Sequence, residues 1–90
     1  MHQDVEVGDH LLAINVEQKN DPADAAKIIG FNVRVIVTRR DGTPVRGLMR
    51  AEDSGELIGD HGPYATVADA IAHGEAWGRH FVARILGGAV

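Results

Sequence analysis

The clearest periodicity in the chain lies near its C-terminal end. Val67, Ile71, Gly74, Gly78, Val82 and Ile85 recur there at three- and four-residue steps, with Ala70 and Phe81 beside them. That spacing predicts one long amphipathic helix, Thr66 to Leu86, with a single buried face. Thr66 is placed to cap the first turn, Asp69 stands where a capping-box acid would, and Gly87-Gly88 supplies a left-handed stop. Gly74 and Gly78 lie inside the apolar stripe, where each costs about 1 kcal/mol of helix propensity relative to Ala, so a crossing strand is expected close to the backbone there.

Upstream, Phe31, Val33, Val35 and Val37 alternate with Asn32, Arg34, Ile36 and Thr38, which predicts a half-buried strand. Asp41-Gly42 marks a hairpin. A three-residue loop, Asp41-Gly42-Thr43, aligns Val37, Val35 and Val33 with Gly47, Met49 and Ala51 and keeps that face apolar, so a bulged turn is expected. A turn at Asp53-Ser54-Gly55 leads to a short third strand, Glu56 to Gly59, and the loop Asp60-His61-Gly62-Pro63-Tyr64 delivers the chain to the helix. Before the valine-rich strand, Asp21-Pro22-Ala23-Asp24 offers a cap, a proline at the first helical position and an acid at the third. A short helix from Pro22 to Ile29, ended by Gly30, is expected.

Residues 1–20 satisfy neither period cleanly; they are expected as a separate N-terminal segment, flexible or carrying a weak strand over Leu11 to Val16, ahead of a single α+β domain over residues 21–90. The predicted architecture is a three-stranded antiparallel sheet with the long helix across one face and a short N-terminal helix, an αβββα order.

The expected register sets the other sheet face. Ile36 stands opposite Leu48, Arg34 opposite Arg50 and Thr38 opposite Arg46, giving a surface apolar in the middle and basic around it. Arginines facing each other across a strand pair are unfavourable unless an acid or a partner answers them. Arg34, Ile36, Arg46, Leu48 and Arg50 are therefore the candidate binding residues, for a protein partner or a second copy, with nucleic acid as the alternative ligand. The competing expectation is that Leu11 to Val16, with Glu6 and Glu17, folds over this face.

Composition narrows these readings. Ninety residues, 44% hydrophobic and 24% charged, hold one modest core. A net charge of -4 works against nucleic acid and anionic membranes, both of which demand a surplus of Lys and Arg. The chain has no cysteine, which removes disulfides, thiolate chemistry and Cys-ligated zinc. No apolar run approaches a membrane span, and no basic stretch precedes an apolar one at the N-terminus, so a cytoplasmic location is expected.

Candidate chemistry is thin. His73 and His80 share a helix flank with Trp77 and Arg84, but seven residues put them about 10.5 Å apart along the axis, too far for one ion. Gly-Asp-His occurs at Gly8-Asp9-His10 and at Gly59-Asp60-His61, a spacing that turn chemistry explains without a metal. Ser54, the only serine, sits in a predicted turn with no base placed near it, and His61 is the one histidine to test as a general base. Glu75 and Arg79 form an i,i+4 pair. No enzymatic activity, cofactor or metal is expected.

Three resemblances bear on fold and function. The αβββα order resembles the double-stranded-RNA-binding domain, which implies phosphate contacts from lysines at the start of the last helix. Here that turn reads Thr66-Val67-Ala68-Asp69 and carries an acid. VEVGDHLLAIN, DPADAAKII and FNVRVIVTRR, over residues 5–40, resemble the second half of a PDZ domain and imply a groove helix, although the upstream carboxylate-binding loop is absent. Residues 30–86 are similar to a loose group of small Burkholderia-type bacterial proteins of unknown function in which three strands precede a helix. Phe31 with its valine ladder, Tyr64 to Ala70, Trp77, Phe81 and Ile85 carry that likeness, which implies a fold and no activity.

Overall fold

The computed structural model describes residues 1–60 and 62–87. The chain is α+β: four antiparallel strands in sequential order, β1 (His2–Val7), β2 (His10–Asp21), β3 (Asp24–Arg39) and β4 (Ala51–Asp53), followed by one helix, α1 (Val67–Arg84). The expected helix stands nearly as drawn. The Thr66 hydroxyl accepts the Asp69 N–H at 3.0 Å, Asp69 and Arg84 complement the helix dipole at its two ends, and Gly87 takes a left-handed φ of 66°. Gly88, the second glycine of the expected stop, lies outside the described residues.

The core is the layer between α1 and the sheet. Val7, Leu12, Ile14 and Val16 from β1 and β2 and Val33, Val35 and Val37 from β3 meet Ala70 and Val82 of the helix. Gly74 and Gly78 face the strands, as expected. A Cβ on Gly78 would lie 2.5 Å from Leu12 Cδ1, and one on Gly74 would lie 2.9 Å from Val33 Cγ2. The helix lies this close to the sheet because these two positions have no side chain.

Residues 1–20 are not a separate segment in space. They form β1 and most of β2, a hairpin whose two-residue turn, Gly8-Asp9, opens on a glycine at φ 58°. The strand at Leu11 to Val16 is therefore observed as part of a longer one. These residues extend the sheet sideways and do not cover its outer face.

The short helix from Pro22 to Ile29 is not formed, and the αβββα order is corrected to ββββα. Asp21 and Pro22 instead make the β2–β3 turn: Asp21 pairs with Asp24, and the Asp21 carboxylate accepts the Ala23 N–H at 2.9 Å. An Asp-Pro pair serves a turn as well as a helix start. An eight-residue helix is too short to hold on propensity alone, so pairing with β2 wins. The groove helix implied by the PDZ resemblance falls with it.

The hairpin at Asp41-Gly42-Thr43 is also replaced. The chain leaves the sheet after Arg39, runs through its own small turn in which Val45 N–H donates to Met49 C=O at 2.8 Å, and returns at Ala51. Val37 faces Glu52 rather than Gly47, a shift of five positions, and an odd shift exchanges the two faces of the returning strand. Pro44 explains the excursion, because a strand starting there would lack a ladder donor. The third expected strand, Glu56 to Gly59, is reduced to a bridge at Leu57–Val33, and Tyr64 exchanges both backbone hydrogen bonds with Phe31.

The glycines generate a prediction about stability. Ala at Gly78 gains about 1 kcal/mol of helix propensity but overpacks the fully buried Leu12, so a net loss of about 1 kcal/mol is expected. At Gly30, with φ 147°, a Cβ would lie 2.7 Å from both Pro63 Cβ and the Tyr64 carbonyl, and backbone cannot step aside. Gly30→Ala should cost about 3 kcal/mol. Urea denaturation of the two variants should rank Gly30→Ala as clearly the less stable.

Candidate interaction surface

With α1 on one side, the opposite side of the sheet carries the alternate residues of each strand. From the pairings, one row runs Glu6, Leu11, Thr38, Ala51, and the next runs Asp4, Ala13, Ile36, Asp53. His2, Asn15 and Arg34 form a third row, and Glu17 and Asn32 a fourth. Leu11, Ala13, Ile36 and Thr38 make an uncharged centre of half-buried residues, and the one helix among the described residues lies on the other side. Acids and one arginine rim it.

The sequence-predicted site residues do not come together here. Arg34 and Ile36 lie on this face as expected, but Leu48 stands 97% exposed in the excursion between β3 and β4. Arg46 pairs with Glu52, which the register turns to the helix side, and its guanidinium lies 5.8 Å from the centre of the Phe81 ring. Arg50 donates to the Gly42 carbonyl at 2.9 Å. The like-charge pairing of Arg34 with Arg50 disappears, because Asp53 answers Arg34 at 3.4 Å. The arginines are thus divided among three places, each with a partner inside the chain.

Beside Arg34, a cleft of about 10 Å³, room for one water, is lined by Glu17, Asn32, Val33, Arg34 and Glu56. Asn32 is 2% exposed; its amide N–H donates to Glu56, while its carbonyl oxygen has no partner among the described residues. Lys19 reaches Glu56 at 3.1 Å and, chiefly through that hydrogen bond, holds its carboxyl below the usual range.

Ser54, His73 and Glu75 have partners within the fold, and His10 is buried. The Ser54 hydroxyl accepts the Val35 N–H at 2.9 Å and donates to the Gly55 carbonyl at 2.7 Å, so it continues the β3–β4 ladder where the backbone pairing breaks. Gly8-Asp9 is a hairpin turn and His10 is buried behind it. His73 stacks on Tyr64 at 4.7 Å, and Arg79 meets Glu75 at 2.9 Å. His61 lies outside the described residues. Among the described residues no three His, Asp or Glu side chains cluster to hold a metal, and no helix is long and apolar enough to cross a membrane.

Sequence reasoning missed the left rim of the face, His2, Asp4 and Asn15. The signal present was the Gly8-Asp9 dipeptide flanked by Val5, Val7, Leu12 and Ile14, a hairpin pattern overlooked because Leu11 breaks the alternation. Comparison with protein-family models, curated proteins and solved structures finds no match for this chain.

His2 is the titrating group on this surface. Its Nδ1 lies 2.7 Å from the Asn15 carbonyl oxygen and its Nε2 lies 2.6 Å from the Asp4 carboxylate. Two acceptors want both ring nitrogens protonated, so the bond to Asn15, and then the one to Asp4, raises the imidazole above its ordinary value. A raised value in the folded state means that the link between β1 and β2 is fully present below the ordinary histidine range and is lost as pH rises through the raised one. An NMR titration should find His2 the more basic in the native chain, and Asn15→Ala should return it towards its ordinary value. An unchanged midpoint in that variant would remove the assigned cause.

Proposed function

We propose that this chain is a small non-enzymatic binding domain that acts through a protein–protein contact on the open sheet face. Ile36 is its centre, Leu11, Ala13 and Thr38 surround it, and Arg34 and Asp53 stand at its rim. The observation that carries this reading is a contiguous uncharged patch in the middle of the sheet, with no helix or strand among the described residues laid over it. A strand-built surface with an apolar centre and a charged rim has the anatomy of a protein contact. The cleft beside Arg34, with room for one water, is too small for a small-molecule ligand. The tied hydroxyl of Ser54 and the one-water size of the cleft beside Arg34 support a non-catalytic role. Nucleic acid is the weaker alternative, since the arginines that suggested it are separated and each answered within the chain, and the net charge is -4.

Ile36→Lys tests this. The change keeps the inner face intact and should cost about 1 kcal/mol or less in stability. Proteins retained specifically by the immobilised native domain should be lost from Ile36→Lys and kept by Leu48→Lys, which sits off the face. Equal retention by the native domain and Ile36→Lys would place the contact elsewhere.

A further inference from the structure

One polar corner of the open face is not closed by the chain itself. The basic side chains along this face are paired with acids: Lys19 with Glu56 at 3.1 Å, Arg34 with Asp53 at 3.4 Å and Arg40 with Glu6 at 3.6 Å, while Asp4 holds His2. Glu17 lies on the same face, is exposed, and has no ion-pair partner among the described residues.

Glu17 stands directly across from Asn32 in the β2–β3 register, and both line the cleft of about 10 Å³ beside Arg34. Asn32 is buried, and its amide nitrogen is held by Glu56, whose neighbour Leu57 bridges to Val33 on the β4 side of β3. Nitrogen and oxygen diverge from one carbon, so the carbonyl oxygen is turned away from Glu56, towards β2 and Glu17. That oxygen has no partner among the described residues. Buried carbonyls without a donor are rare, because folding then forfeits the hydrogen bond that water supplied. The cleft thus gathers one free carboxylate and one free carbonyl, and lacks the donor that both call for.

We infer that this cleft takes a primary ammonium group, the end of a lysine side chain of the protein that docks on the open face. An ammonium is the size of the one water the cleft admits and carries three donors. It gives one N–H to the Asn32 carbonyl oxygen and one to the Glu17 carboxylate, and its charge answers that of Glu17. A guanidinium, planar and broader, exceeds the space. A divalent cation asks for about six oxygens, whereas among the described residues no three acids or histidines gather to hold one, and Lys19 and Arg34 stand close by. Asn32 lies four residues before Ile36 on the same face of β3, so the lysine stands about 13 Å from the apolar group that covers Ile36. The inference rests on the sheet-face reading for the source of that lysine.

An NMR titration of the isotope-labelled native chain tests it, with a five-residue peptide of blocked ends, lysine first and leucine last, as the probe. Extended, that peptide sets its two side chains about 13 Å apart on one side. Saturable binding in the millimolar range should move the Asn32 side-chain amide signal together with the Ile36 backbone signal. Acetylating the lysine removes its charge and should weaken binding about tenfold or more, as should Glu17→Gln, which breaks no ion pair found within the chain. Ile36→Lys should weaken it as well. A peptide that binds equally well when acetylated, or that leaves the Asn32 signal unmoved, overturns the inference, and the cleft then holds a water. Methylammonium that moves the same signal at the same concentrations makes the ligand a free amine and overturns the assignment to a lysine. Binding lost in Ile36→Lys but unchanged in Glu17→Gln also overturns it, while leaving the sheet-face reading standing.

Discussion

The close approach of α1 to the sheet is the constraint on which the rest of the fold depends. A single helix must cover the inner face of four strands, and it does so by presenting Ala70, Gly74, Gly78 and Val82 to Leu12, Ile14, Val33 and Val35. Two glycines in mid-helix weaken it intrinsically, by about 1 kcal/mol each, and the contact must offset that through dense packing of branched side chains. The larger residues of the helix, Tyr64 just before it, Trp77 and Phe81, are displaced to its flanks. There they stack, Trp77 on Phe81 at 5.0 Å, and close the sides of the layer. The one helix among the described residues is used on one side, and the open face follows from the economy of the core.

Elements with a long, unambiguous period were legible in the sequence. The helix, its Thr66 cap, the close approach at Gly74 and Gly78 and the strand from Phe31 to Thr38 all follow from local spacing, and packing reinforced what local chemistry favoured. The failures occurred where one residue pair serves two structures. Asp21-Pro22 fits a helix start and a β-turn equally, and Ala25, Ala26 and Lys27 are good helix formers. What decided the outcome was the availability of β2 as a partner, a tertiary fact invisible in a local window. The N-terminal residues were misread for the complementary reason. Val5, Val7, Leu12 and Ile14 do alternate, but the two-residue turn at Gly8-Asp9 restarts the phase, so one continuous pattern was sought where two strands meet.

Surface sites are harder to read than cores, because they depend on register as well as on element type. The inner residues of β3 would be buried under either pairing of the returning strand, so the core was insensitive to the error. The outer face was not. Moving the partner of Val37 from Gly47 to Glu52 replaced a patch of arginines and Leu48 with Ala51 and Asp53, and changed the sign of the charge facing Arg34. The unfavourable pairing of Arg34 with Arg50 was itself the clue. Within one chain, two facing arginines with acids only a few residues away argue for a different register before they argue for an external partner.

The same reasoning bears on where this molecule is open to others. Charges around the outer face are answered locally: Arg34 by Asp53, Lys19 by Glu56 and Arg40 by Glu6. Exposed pairs of this kind add little stability, but they make the rim electrostatically quiet and leave the apolar centre at Ile36 as its distinguishing feature. At the tip of the β2–β3 hairpin the same economy holds for the backbone. The register breaks there, yet the Asn20 amide donates to the Ala25 carbonyl at 2.6 Å and the Asp24 carboxylate accepts the Ala26 N–H at 3.1 Å. Side chains thus answer groups that the ladder leaves over, and Pro22 in the turn offers no donor to a further strand.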